Sequence, residues 1–250
     1  MDSMDLLLCG LFFVVAVLYT TVGHAGASGY LAVMGLAGVA PDVMRPTALL
    51  LNIVVASFTT WRFRAARYFD ARALVPLAAA SVPCAFFGGT VRLPSHLYQG
   101  AVGLVLLVSA AILLWRAYSP RFQGAERPVR VPLAGALLLG ALIGLLSGLT
   151  GTGGGIFLSP VILLAGWAGP KATAGIAAPF IMVNSVAGLL GSTFATRDLP
   201  ESMFAFAACA LAGALVGTWL GIRRLPPRGL IVTLGVVMII AGVKLVARAL

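Results

Sequence analysis

Long apolar stretches, separated by short polar or glycine-rich segments, follow one another along nearly the whole chain. Six of them are 16 to 23 residues long, close to the roughly 20 residues that an α-helix needs to cross a bilayer. The predicted spans are 46–61, 73–91, 97–115, 172–194, 203–221 and 229–247. Barrel strands would alternate apolar and polar residues, which these stretches do not do. The pattern therefore predicts an all-α polytopic membrane protein.

The remaining apolar stretches form two pairs, each made of a longer arm, a glycine-rich break and a short arm. Arms 6–22 and 30–39 flank "VGHAGASG", and arms 133–149 and 156–167 flank "TGTGGG". A helical short arm would reach only about 15 to 18 Å, roughly half of a bilayer core. We therefore predict that 6–39 and 133–167 are re-entrant pairs or broken helices. Non-helical backbone at that depth must line a cavity or lie inside protein.

The same order, a broken pair followed by three spans, occurs twice. The first repeat would occupy 1–118 and the second 132–250, with a basic connector at 119–131 between them. Within the repeats, "RPTALLLNIVVAS" resembles "IAAPFIMVNSVAG", and a shift of one residue between the two strings places Asn52 over Asn184. Internal duplication is the simplest account of this layout.

The positions of lysine and arginine favour an inverted arrangement of the two repeats. If each broken pair returns to its starting side, "RRLPPR" and the connector lie in the cytoplasm and the acidic "RDLPE" lies outside, as the positive-inside rule requires. The second half is then inverted relative to the first. Many secondary transporters have this plan, with the substrate site at the repeat interface near the bilayer midplane.

Composition agrees with a membrane protein. The 250 residues are 60% hydrophobic and only 10% charged, against about 25% charged in an average soluble domain. The net charge of +10 comes from short basic clusters between apolar stretches, so topology explains it better than a nucleic-acid partner does. The expected partners are a lipid bilayer and a small solute. The sequence leaves the oligomeric state open, and a homodimer is compatible with it.

The polar residues exclude several kinds of chemistry. All seven acidic residues fall at segment ends or in connectors, so a buried carboxylate for proteolysis or ion coupling is missing. Neither histidine has a helical partner spaced to share a metal ion. The glycine cluster has no Lys-Ser/Thr after it, as a phosphate loop requires. We therefore expect no catalytic residue, no metal and no cofactor.

The backbone itself is the remaining candidate for a site. Glycines allow successive N–H groups to point into a cavity, and a short arm starting near Ile156 would direct its positive dipole end there. A small anion would then be stabilised without any buried cation. Packing of glycines, or hydrogen bonding between helices by the asparagines, remains an alternative reading. The candidates from this reasoning are Thr150, Thr152, Gly153, Gly154, Gly155, His24, Ser28, Thr47, Asn52, Asn184 and Ser185.

The motif "GLLSGLTGTGGGIFLSPVILL", the following "VNS" and the degenerate first-half partner "VGHAGASGYLAVMGLAGVAPDVMRPTALLLN" resemble the sulfite exporter TauE/SafE family. The resemblance implies two repeated halves and transport of sulfite, sulfoacetate or other sulfur-containing or organic anions. It also implicates Gly151, Thr152, Gly153, Gly154, Gly155, Pro160 and Asn184, and in the first half Gly23, Gly26, Ser28, Gly29 and Asn52. The first half reads HAGASG where the second has a glycine triplet.

The predicted function is secondary transport of a small anion, sulfite or a sulfonate, across the bacterial inner membrane by alternating access. A passive anion channel would share every motif. A membrane enzyme or assembly subunit is a further alternative, although the chain offers neither a catalytic pairing nor a sizeable soluble segment.

Overall fold

The computed structural model of the chain describes residues 3–118, 129–192, 199–223 and 228–250. These residues form ten α-helices and no strand. The helices are α1 Ser3–Thr20, α2 Ala27–Ala37, α3 Pro41–Ala65, α4 Ala71–Thr90, α5 Ser95–Tyr118, α6 Leu133–Thr150, α7 Gly155–Leu164, α8 Pro170–Gly191, α9 Met203–Arg223 and α10 Arg228–Ala249. The protein is therefore all-α, as the hydropathy pattern predicts.

Every predicted apolar segment lies on a helix, and the boundaries are close except at α3. This helix begins at Pro41, five residues before the predicted span, because proline suits the first helical position. The extra turn carries the polar residues Asp42 and Arg45 into the helix. Most of the predicted connector, 119–128, and the end of the predicted span 172–194 lie outside the described residues.

Seven of the helices in the described part of the chain are long and apolar enough to cross a membrane. They are α1, α3, α4, the Ser95–Ile112 part of α5, α6, α8 and α9. The short arms α2 and α7 have only 11 and 10 residues. They are too short to span, as predicted from the sequence.

The two halves are interleaved, because the first helix of each half packs on the fourth helix of the other. Helix α1 packs on α9, and correspondingly α6 packs on α4. Helices α3 and α8 face each other, as do α5 and α10. Equivalent helices thus make equivalent contacts, which agrees with duplication. The inversion of the halves across the membrane stays a prediction.

Small residues bring α6 and α4 into backbone contact. Gly140, Gly144 and Gly148 are spaced by four residues on α6, and a Cβ at any of them would overlap a backbone carbonyl oxygen of α4. These oxygens belong to Leu77, Ser81 and Ala85. Glycine is therefore required for close packing at these three positions. For Gly140 and Gly144, the structure supports the interpretation that these glycines allow close packing of two helices.

Valine at Gly144 is expected to destabilise the fold strongly. The side chain would force α6 away from the Ser81 carbonyl, and overpacking of this kind costs about 1 to 3 kcal/mol, occasionally more. Thermal unfolding of the purified protein in detergent measures the effect. The control is Gly10→Val on α1, where an added Cβ has no neighbour within 4 Å. Equal unfolding temperatures for the two variants would contradict this account of the α4–α6 contact.

Candidate functional site

Both helix pairs are interrupted by glycines in the left-handed backbone conformation. In the first half, Gly23 has a φ of 77° and Gly26, which caps α2, has a φ of 108°. In the second half, Gly151 has a φ of 81°, Gly153 of 73° and Gly154, which caps α7, of 78°. Side chains with a Cβ rarely adopt such φ values. The glycines therefore have a backbone role in both breaks.

His24 joins the two breaks. Its Nε2 lies 2.9 Å from the carbonyl oxygen of Gly155 and 3.1 Å from Ser159 Oγ, both on α7. Its Nδ1 lies 3.1 Å from the carbonyl oxygen of Val22. The imidazole is 4% exposed. Both ring nitrogens thus face carbonyl oxygens, which only accept hydrogen bonds, and a protonated imidazole can donate to both. Sequence reasoning placed His24 at the first break but missed Ser159.

Asn52 connects three elements at the same place. Its Oδ1 accepts a hydrogen bond of 3.1 Å from the Ala27 N–H, the first residue of α2. Its Nδ2 donates a bond of 3.2 Å to Ser185 Oγ on α8. A Cβ added to Gly153 would meet this Nδ2 and would lie 3.1 Å from Ser185 Oγ. Asn52 therefore contacts both halves directly beside the second break.

Asn184, which the sequence places over Asn52, has different partners. Its Nδ2 donates a bond of 2.8 Å to the Phe180 carbonyl oxygen of its own helix. Its Oδ1 is buried and has no hydrogen-bond partner among the described residues. The Thr47 hydroxyl is also buried without a partner in the described part of the chain. The two asparagines are therefore not equivalent in this conformation.

The other predicted site residues are buried, and several of them have local partners. Ser28 Oγ lies 2.7 Å from the Tyr19 hydroxyl of α1. A Cβ on Gly29 would lie 2.6 Å from a Val15 methyl group, so close packing also requires that glycine. Thr150 Oγ1 and Thr152 Oγ1 are 3.0 Å apart. The structure thus brings together His24, Asn52, Gly153, Gly155 and Ser185, whereas Ser28 and Gly29 face α1.

A buried arginine lies next to the second break, where the sequence predicts an anion site that needs no buried cation. Arg45 is only 9% exposed. Its Nη2 donates to the Gly88, Gly89 and Gly148 carbonyl oxygens at 3.0, 2.7 and 2.6 Å, and its Nη1 donates to Val91 O at 3.1 Å. These oxygens end α4 and α6, where helices lack internal donors and carry negative dipole ends.

The interrupted helix pairs, their buried polar junction and the seven apolar helices define a polytopic membrane protein with a polar centre. The chain belongs to the sulfite exporter TauE/SafE family, whose model matches residues 8–245, and it is a membrane transporter.

Two relatives support this assignment over the whole length of the chain. A probable membrane transporter of Sinorhizobium fredii is 38% identical over 245 residues, covering 98% of this chain and 99% of the relative. A probable membrane transporter of Bacillus subtilis is 26% identical over 264 residues, covering 98% and 100%. No solved structure matches the chain.

Proposed function

We propose that this transporter moves a small anion, sulfite or a sulfur-containing organic anion such as a sulfonate, across the bacterial inner membrane. The observation that carries the proposal is the meeting of the two broken pairs at His24 and Asn52. Glycine backbone, an amide and hydroxyl groups lie together there, in protein rather than lipid. Such groups can replace the hydration shell of an anion. The description of the matching family, which names sulfite, supports the substrate class.

Alternating access would require the contacts between the halves to form and break. Asn52 binds α2 of its own half through Oδ1 and α8 of the other half through Nδ2. An anion that takes the Nδ2 hydrogen bond would release Ser185. A local exchange of hydrogen bonds would thus accompany movement of one half against the other.

Counterflow distinguishes this carrier from an anion channel. Proteoliposomes are loaded with unlabelled 2-hydroxyethanesulfonate and diluted into a trace of the labelled compound. A carrier is expected to accumulate label transiently above its external concentration. Each export of unlabelled compound brings the binding site to the outside, where it takes up label, and the unlabelled compound inside competes with label for the return. Equilibration without an overshoot, at a rate proportional to concentration, would indicate a channel and contradict the carrier mechanism.

His24 is expected to make anion affinity depend on pH. An imidazolium beside the break would attract the anion, so the KM for 2-hydroxyethanesulfonate should fall as the pH is lowered from about 8 to about 5. A sulfonate is used because sulfite itself gains a proton in this range. His24→Gln should flatten the profile, and His96→Gln, at the exposed start of α5, should retain it. An undiminished pH dependence in His24→Gln would refute this role.

A further inference from the structure

A cavity of about 390 Å³ lies where α4 and α8 end and where α3 and α5 begin. It is separate from the His24–Asn52 junction, and no candidate from the sequence lines it. Six polar residues contribute to its wall, namely Asp42, Arg45, Thr90, Arg92, Tyr98 and Ser192. The volume falls at the lower end of the range of about 300 to 1,000 Å³ for sites of small molecules.

The charges of this cavity suit an anion. Two arginines, Arg45 and Arg92, oppose one carboxylate, Asp42. Arg45 is nine-tenths buried, and its Nε has no hydrogen-bond partner among the described residues. This buried guanidinium N–H can donate to an acceptor group of a ligand in the cavity, since buried polar groups are normally hydrogen-bonded.

Two residues of the cavity wall also hold the end of α6, which leads into the second glycine break. Arg45 Nη2 donates to Gly148 O at 2.6 Å, and the Tyr98 hydroxyl donates to Thr150 O at 3.2 Å. A Cβ on Gly151 would lie 3.1 Å from Arg45 Cγ. Arg45 and Tyr98 therefore separate the cavity from the break. An anion that accepts hydrogen bonds from these two side chains competes with the carbonyl oxygens in the last turn of α6.

The size and wall of the cavity indicate an organic rather than a bare inorganic anion. A three-oxygen head group would occupy only part of the volume. Pro41 and Leu93 add apolar surface, against which a short carbon body can pack. The excess of one positive charge among the wall residues matches a single anionic group.

We propose that this cavity is a second binding site, for a small organic monoanion, from which the anion reaches the glycine break when Arg45 and Tyr98 release α6. The role in access rests on the proposed transport function, whereas binding in the cavity does not. The site therefore needs a test that gives a readout without transport.

Charge-selective labelling provides this readout. Cys9, Cys84 and Cys209 are replaced by alanine, and a single cysteine is introduced by Thr90→Cys at the exposed rim of the cavity. The purified protein is labelled with 2-sulfonatoethyl methanethiosulfonate or its trimethylammonium counterpart, and the anion-to-cation rate ratio is measured. Ala71→Cys, exposed at the other end of α4, gives the reference ratio.

The anion-to-cation ratio at Thr90→Cys is expected to respond to the charges of the cavity wall. Arg92→Gln should lower it about threefold and Asp42→Asn should raise it, whereas neither should change the reference. Added 2-hydroxyethanesulfonate should protect Thr90→Cys saturably. A ratio at Thr90→Cys that neither Arg92→Gln nor Asp42→Asn changes, or no protection, would overturn the proposal. Protection without any uptake would refute the proposed transport instead, and uptake without protection would refute the cavity site.

Discussion

Replacing Gly153 by alanine is expected to reduce anion flux at least tenfold while the protein still folds. The added methyl group would meet Asn52 Nδ2 and would also press on Ile181 and Ser185. It would thus occupy the space in which an anion would accept hydrogen bonds. The measurement is the initial rate of 2-hydroxyethanesulfonate uptake into proteoliposomes containing equal amounts of folded protein.

The matched control separates this steric effect from backbone strain. Gly38 caps the end of α2 with a φ of 80°, similar to the 73° of Gly153, but an added Cβ there has no neighbour within 4 Å. Both alanine variants should lose about 1 to 2 kcal/mol of stability from the left-handed backbone, and Gly153→Ala should lose about 1 to 3 kcal/mol more from overpacking. Only Gly153→Ala should lose transport. Equal flux in the two variants would show that Gly153 does not line the transport site.

Replacing Arg45 by methionine is expected to be the most destabilising single change at the site. Methionine would leave four carbonyl oxygens, at the ends of α4 and α6, without their arginine donors. Each unsatisfied buried group costs about 1 to 3 kcal/mol, so several kcal/mol would be lost and little folded protein should be recovered. Size-exclusion profiles and thermal unfolding in detergent measure this loss.

Two variants control the Arg45 experiment. Arg45→Lys keeps the charge, but a single ammonium cannot reach all four oxygens in the planar arrangement of a guanidinium, so stability should be intermediate. Arg92→Met removes an exposed arginine from the same cavity and should leave stability within about 0.5 kcal/mol of the unchanged protein. Wild-type stability in Arg45→Met would show that its carbonyl contacts do not hold the helix ends.

The order of the helices could be predicted from hydropathy because each apolar segment had to bury its backbone polar groups within a helix. The first turn of α3 was missed because Asp42 and Arg45 look like loop residues in the sequence. They form part of a helix because Pro41 starts it and because Arg45 finds acceptors on α4 and α6. Those acceptors are distant in sequence, so no local pattern identifies them.

The candidate site could be predicted only in part for the same reason. Three consecutive glycines identify an irregular backbone at Gly153, and Asn52 follows from the repeat. The contact of His24 with Gly155 crosses 131 residues and depends on how the halves pack. The repeat also suggests equal roles for Asn52 and Asn184, whereas only Asn52 bridges the halves. A single sequence shows the internal duplication, but it does not show that the two asparagines have different hydrogen-bond partners in one conformation.

Uptake of labelled sulfite by proteoliposomes containing the purified protein tests the central claim most directly. Liposomes without protein and a labelled organic cation serve as controls. The account predicts saturable sulfite uptake that unlabelled 2-hydroxyethanesulfonate inhibits, with no uptake of the cation. Sulfite uptake no faster than in protein-free liposomes, from protein that is folded by size-exclusion chromatography, would contradict it.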